Sequence, residues 1–162
     1  MTESMIRYFV AEKRESALFV LVGLAAIALS VWLWRTPHRG MVYPLVAVAL
    51  IQIAVGGGVY LRTDAQIAAL SARYQRDADG FRAAEITRMN AVMGNFRLYK
   101  SVEIALLVVG IALSFVLGRR EPWLSLAAGL IIQSAIMLTL DLFAEQRGAS
   151  YLAQVTETIA RR

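Results

Sequence analysis

Two carboxylates, Glu103 and Asp141, stand inside otherwise apolar stretches of this chain, and their type and placement give them the most chemical potential. An ionisable group in an apolar run is costly and marks a functional candidate by default. Glu103 opens the run 101–118 and Asp141 lies near the end of the run 123–143. If those runs form neighbouring antiparallel helices, the two side chains share a depth. Facing one another, they would make a pair able to bind a cation or relay protons. The competing reading is that they are interfacial anchors, satisfied by water, Arg97, Lys100 or Arg147.

Three further features lie in the apolar runs. Gln52, and Gln133 with Ser134, fall nearer the middle, where amides bond between helices at about 1 kcal/mol or less each. A pore lining or a ligand pocket is the alternative for them. Gly56, Gly57 and Gly58 are consecutive, and each lowers helix propensity by about 1 kcal/mol relative to alanine. They serve either close helix packing or a local break that exposes backbone carbonyls near the two carboxylates. Small residues four apart, Ala26 with Ser30, Ala54 with Gly58 and Ser125 with Gly129, fit close packing.

Other chemistry is excluded. The chain has no cysteine and one histidine, His38, expected to be a solvated loop residue. Thiol redox, disulfides, cysteine-held metals and a bis-histidine haem all need more than that. No P-loop, GxGxxG or GxSxG is present. We assign no catalytic residue, metal or cofactor. No aromatic–basic interleaving marks nucleic-acid binding, so nucleic acid is not an expected partner.

The elements that position these residues follow from composition. Hydrophobic residues make up 58% and charged residues 18%, against about 45–50% and about 25% in soluble domains. The apolar residues gather into four runs, at about 16–34, 41–61, 101–118 and 123–143. Each can cross a hydrocarbon core of about 30 Å as a helix, and lipid leaves a helix as the only way to satisfy the backbone. The first run extends through Trp32 and Trp34, longer than a signal-peptide core, and is read as a retained span. The expected fold is an all-α integral membrane protein. It has a single membrane domain over 1–162, with four transmembrane helices in an antiparallel bundle and a cytoplasmic helical hairpin, about 62–100, extending spans two and three.

Charge sets the orientation. Of the 17 Lys and Arg, 13 lie in the amino-terminal segment, the 62–100 segment and the tail, and 4 lie in the two short loops. The more basic side faces the cytoplasm. That predicts an inner (plasma) membrane protein with both termini cytoplasmic, and Trp32, Trp34 and Trp123 at the opposite interface.

Within the polar segment, Thr63-Asp64-Ala65-Gln66 fits a capping box; alternatively the second span runs on past Leu61 with Thr63 marking only a local adjustment. Asp77-Ala78-Asp79-Gly80 reads as a turn, with Gly80 free to take positive φ. A second helix starts near Phe81 and runs without proline through Leu117, with Gly94-Asn95 as its weak spot. Ile86, Met89, Met93 and Phe96 recur at steps of three and four, a coiled-coil-like seam. The seam packs within the hairpin or against a second copy or a partner. Arg73, Arg76, Arg82 and Arg88, interleaved with Asp77, Asp79 and Glu85, read as a solvated or headgroup face. The apolar start of the chain, Met5 to Val10, lies on the membrane interface or leads helically into the first span.

The resulting functional expectation is a non-enzymatic scaffold, regulatory or effector protein. It would contact membrane lipid and assemble as a homo-oligomer or with a membrane or cytoplasmic protein. The alternative is a small proton- or cation-coupled transporter or channel using Glu103 and Asp141.

Overall fold

The computed structural model describes residues 2–117 and 119–160, so Met1, Gly118, Arg161 and Arg162 lie outside the described residues. Four long helices make up nearly all of it: α1 (Thr2–Leu33), α2 (Val42–Arg76), α3 (Ala78–Leu117) and α4 (Glu121–Ala160). A single 3-10 turn, Arg39–Met41, precedes α2, and the described residues include no strand. Prolines do not interrupt the helices. Pro44 and Pro122 sit in the first turns of α2 and α4, where the missing N–H is not needed.

All four helices are long and apolar enough to cross a membrane. Each shows a band of exposed large apolar side chains, from Leu18 to Trp34, Tyr43 to Leu61, Leu98 to Val116 and Trp123 to Phe143. At 1.5 Å per residue these bands span roughly 25–31 Å, close to a hydrocarbon thickness.

The helices continue well past the band at one end. There α1 begins, α4 finishes and α2 turns into α3; we call this the terminal end, and the opposite one the loop end. The break between α2 and α3 is a single residue, Asp77, with φ −149° and ψ 93°. Its carboxylate accepts the Gly80 N–H at 2.9 Å and so caps α3. Gly80 is therefore already helical, with no positive φ. What it supplies is room: a Cβ there would lie 2.0 Å from the Asp77 carboxylate. Thr63 does not cap a helix either. It is buried within α2, and its hydroxyl donates to the Val59 carbonyl at 2.7 Å. Gly94-Asn95 likewise leaves α3 unbroken.

The helices pack as two pairs, α1 with α2 and α3 with α4. In each pair residue numbers rise along one helix as they fall along the other. Lys13 bonds Asp64 at 2.6 Å, and a Cβ on Gly23 would stand 2.9 Å from Ile53 Cγ1. Lys100 bonds Glu145 at 2.5 Å, and a Cβ on Gly110 would stand 2.9 Å from Ile131 Cγ1. At the loop end, Gly40 abuts Pro122 and Ser125, while Gly129 abuts Pro44 and Met41, which brings the two pairs together. Of the small-residue pairs, Ala26/Ser30 and Ser125/Gly129 are buried, whereas Ala54 and Gly58 face outward.

Toward the loop end α1 and α2 enclose one core of Ala26, Leu33, Val42, Leu45 and Ala49, and at the terminal end the helices close around a second core of Met5, Tyr8, Phe9, Phe81, Met89, Tyr151 and Val155. This core includes both chain termini's helices. The amino-terminal segment is the helical start of α1, with Met5, Tyr8 and Phe9 packed inward and Ile6 and Val10 exposed. The tail, which the apolar pattern left unassigned, is the last turns of α4. Phe81 and Met89 are 1% and 0% exposed. Replacing Met89 by alanine is expected to cost about 2–5 kcal/mol, read from reversible unfolding in mixed micelles. Phe115→Ala, at a site 85% exposed in the band, should change stability by less than about 0.5 kcal/mol.

Candidate functional site

The residues singled out by chemistry fall into three layers. At the terminal side of the band, Glu103 on α3 and Asp141 on α4 come into side-chain contact. Glu103 is only 6% exposed, and its Oε2 is buried with no hydrogen-bond partner. The nearby cations on α3 and α4 are engaged elsewhere: Lys100 with Glu145, and Arg147 with Glu15 on α1. Arg97 is exposed. The carboxylates therefore meet each other and not a cationic anchor.

Deeper in the band, Gln133 donates from Nε2 to Gln52 Oε1 at 2.9 Å, and Gln52 Nε2 approaches Met137 Sδ at 3.1 Å. Both amides are essentially fully buried, and Ser134 is buried beside Gln133 in sequence. This is a polar clamp between α2 and α4. An amide pair bonded within an apolar layer fixes which residues face which, because any slip leaves a polar group unpaired.

The glycine triplet has no part in the carboxylate pair. α2 is continuous through it, with no positive φ. Gly56 faces α1, where a Cβ would stand 2.8 Å from the Ser16 carbonyl oxygen. Gly57 and Gly58 have open space around them. No backbone break exists there to expose carbonyls.

The third layer lies at the terminal end, and sequence reasoning missed most of it. Glu85, 2% exposed, receives Arg88 through two hydrogen bonds of 2.8 and 2.7 Å and the Tyr151 hydroxyl at 3.0 Å. Arg88 also lies over the Phe9 ring at 5.3 Å, and Arg147 lies over the Tyr8 ring at the same distance. Tyr8 stacks on Tyr151 with centroids 4.5 Å apart. One network thus joins α1, α3 and α4. Burial holds the Glu12 carboxyl above its ordinary value of 4.5, against the pull of Arg147, Arg88 and Arg62. Burial likewise pushes the Tyr151 hydroxyl up, with Glu85 adding to it.

The solvated or headgroup face expected for most of the four arginines holds for two of them. Arg73 and Arg76 are exposed, but Arg82 is 4% exposed and Arg88, half-buried, borders the core against Glu85 and Phe9. The signal was present in Met5/Phe9, Glu85/Arg88/Met89 and Tyr151/Val155, which recur at three- and four-residue steps. The seam residues serve the same core. Met89 is at its centre with Ile86 against it, and Met93 and Phe96 reach toward Gly148 of α4.

At the loop end, His38 is not merely solvated. Its Nδ1 pairs with the Glu121 carboxylate in the first turn of α4. No group of three or more metal-ligating side chains occurs among the described residues.

Glu85→Ala is expected to cost about 2–4 kcal/mol, because it leaves Arg88 and the Tyr151 hydroxyl without their acceptor in a mostly buried place. Tyr151→Phe should cost about 1 kcal/mol. Thermal unfolding of the two variants and their double mutant would show coupling if the network acts as one unit; strictly additive losses would count against it. Against known protein families, curated proteins and solved structures, the chain has no match.

Proposed function

We propose that this chain is a non-enzymatic four-span protein of a bacterial-type inner membrane, an antiparallel bundle whose terminal end stands in the cytoplasm, acting as a scaffold, regulatory or effector protein. The observation that carries the reading is the second core. All four helices leave the apolar band unbroken and pack around Phe9, Phe81, Met89 and Val155. A membrane-proximal bundle built this way moves with its spans. It suits a protein that presents a cytoplasmic surface or transmits a change in span packing. The two-sided distribution of Lys and Arg supports the orientation.

Because the seam is used internally, contacts with a second copy or another membrane or cytoplasmic protein fall to the outer faces. Ala54, Gly57 and Gly58 leave one side of α2 open to a close helix neighbour. The cysteine-free chain allows one experiment to read topology and assembly together. Single cysteines replace Gln75, Arg120 or Gly58 and are treated with an impermeant maleimide or an oxidant in whole cells. Labelling of Arg120→Cys without lysis, labelling of Gln75→Cys only after lysis, and a Gly58→Cys cross-linked dimer are expected. Labelling of Gln75→Cys in intact cells would reverse the orientation, and absence of the cross-link would remove self-association through this face.

A second reading is favoured by the contact between Glu103 and Asp141. Two carboxyl groups held together in an apolar layer carry a proton or a cation between them more readily than two charges. On this reading the protein is a small proton- or cation-coupled transporter or channel. Purified protein in liposomes would then pass protons or sodium down an imposed gradient, with Glu103→Gln and Asp141→Asn each reducing flux at least about tenfold. No flux from the intact chain ends this reading and leaves the first in place.

A further inference from the structure

At the loop end, between the last turns of α1 and the first turns of α2, the surface holds a groove of about 430 Å³. Its walls are Ile27 and Val31 from α1 and Val42 and Val46 from α2, with Trp34 and Arg35 at the mouth. The one hydroxyl in the wall, Ser30, donates to the Ala26 carbonyl at 2.7 Å, so the surface offered to an occupant is mainly apolar, with Arg35 as its charged group. The groove opens sideways: Val31 is 65% exposed and Trp34 53% exposed, and both belong to the exposed apolar band.

The charge at this end is unbalanced. The two connections carry Arg35, Arg39, Arg119 and Arg120 and one carboxylate, Glu121, which His38 already engages. Among the described residues none of these four arginines has an acidic partner. A cleft that is apolar along its length, open to the hydrocarbon layer and headed by an unpaired guanidinium beside an indole has the polarity profile of a single amphiphile with an anionic head. Guanidinium binds phosphate oxygens in a paired, charge-assisted geometry, and tryptophan sits at the headgroup level.

We propose that this groove seats an acyl chain of an anionic glycerophospholipid whose phosphate is held by Arg35. The inference rests on the membrane reading above. The bound lipid lies along the outer side of the α1–α2 contact, beside the buried cluster of Ala26, Leu33, Val42 and Leu45. It also offsets positive charge on the side of the membrane where the orientation rule leaves little.

The test uses the full chain purified from membranes in neutral detergent, with bound lipid read by native mass spectrometry. Phosphatidylglycerol, phosphatidylcholine of the same chains, and inorganic phosphate are the probes. The expected result is retention of one phosphatidylglycerol over phosphatidylcholine by about tenfold, and no retention of inorganic phosphate. Arg35→Gln should erase the preference. Val31→Trp, which fills the groove at an exposed site, should erase retention of both lipids. Arg97→Gln, at an exposed cation on the opposite side, should leave the preference intact.

Equal retention of the two lipids, an unchanged preference in Arg35→Gln, or unchanged binding in Val31→Trp would each overturn the site. Retention of inorganic phosphate alone would show that the groove is not used. Recovery of the chain from carbonate-washed membranes is scored in parallel. Its absence there defeats the membrane reading and this site together, whereas its presence without lipid preference defeats this site alone.

Discussion

Each of the four helices carries one uninterrupted backbone from an apolar band into a charged end, and that continuity constrains everything else. A helix cannot choose its rotation in the band independently of its rotation beyond it. The face that α4 turns to Gln52 through Gln133 determines, 18 residues on, that Tyr151 meets Glu85 and Tyr8. Packing in the two regions is therefore one problem with one solution. The polar contacts at both levels act as the pins that select it.

The pins differ in kind. In the band, one amide donates to the other and the second approaches a thioether, an arrangement that penalises slippage. At the terminal end, Glu85, Arg88, Tyr8, Glu12 and Arg147 bring charge into a core that also contains Phe9, Phe81 and Met89. Taking these groups from water is expensive, and the ion pairs return about what the desolvation removes. Their benefit lies in arrangement. Arg88 reaches Glu85 on its own helix and Phe9 on α1, and Tyr151 reaches the same Glu85 from α4, so a helix out of register loses several partners at once.

Close approach within the pairs depends on missing side chains. Gly23 and Gly56 let α1 lie on α2, Gly110 does the same for α3 on α4, and Gly40 with Gly129 ties the connection before α2 to the start of α4. Between the apolar walls this leaves little room for solvent. The surface features that remain are at the two rims, with the carboxylate pair near the terminal rim and the Trp34–Arg35 groove at the loop rim.

The sequence by itself determined the helical class, the four membrane-length apolar runs, the short connections and the identity of the polar residues inside them. Those properties depend on composition and on spacing along one chain. It did not determine that Asp77 alone would separate α2 from α3, since Thr63 and Gly80 both carry turn-like signals that a continuing helix overrides. Nor could it say where the cations at the terminal end would go. The helical spacing of Glu85, Arg88 and Met89 hints at a shared face, but only the approach of α1 and α4 leaves Arg76 exposed and sets Arg88 against Phe9 and the buried Glu85. The same holds for Glu103 and Asp141, which lie 38 positions apart and meet because α3 and α4 pack with opposed residue order. Burial and partnership are properties of the assembled helices, so the tertiary structure alone decided them.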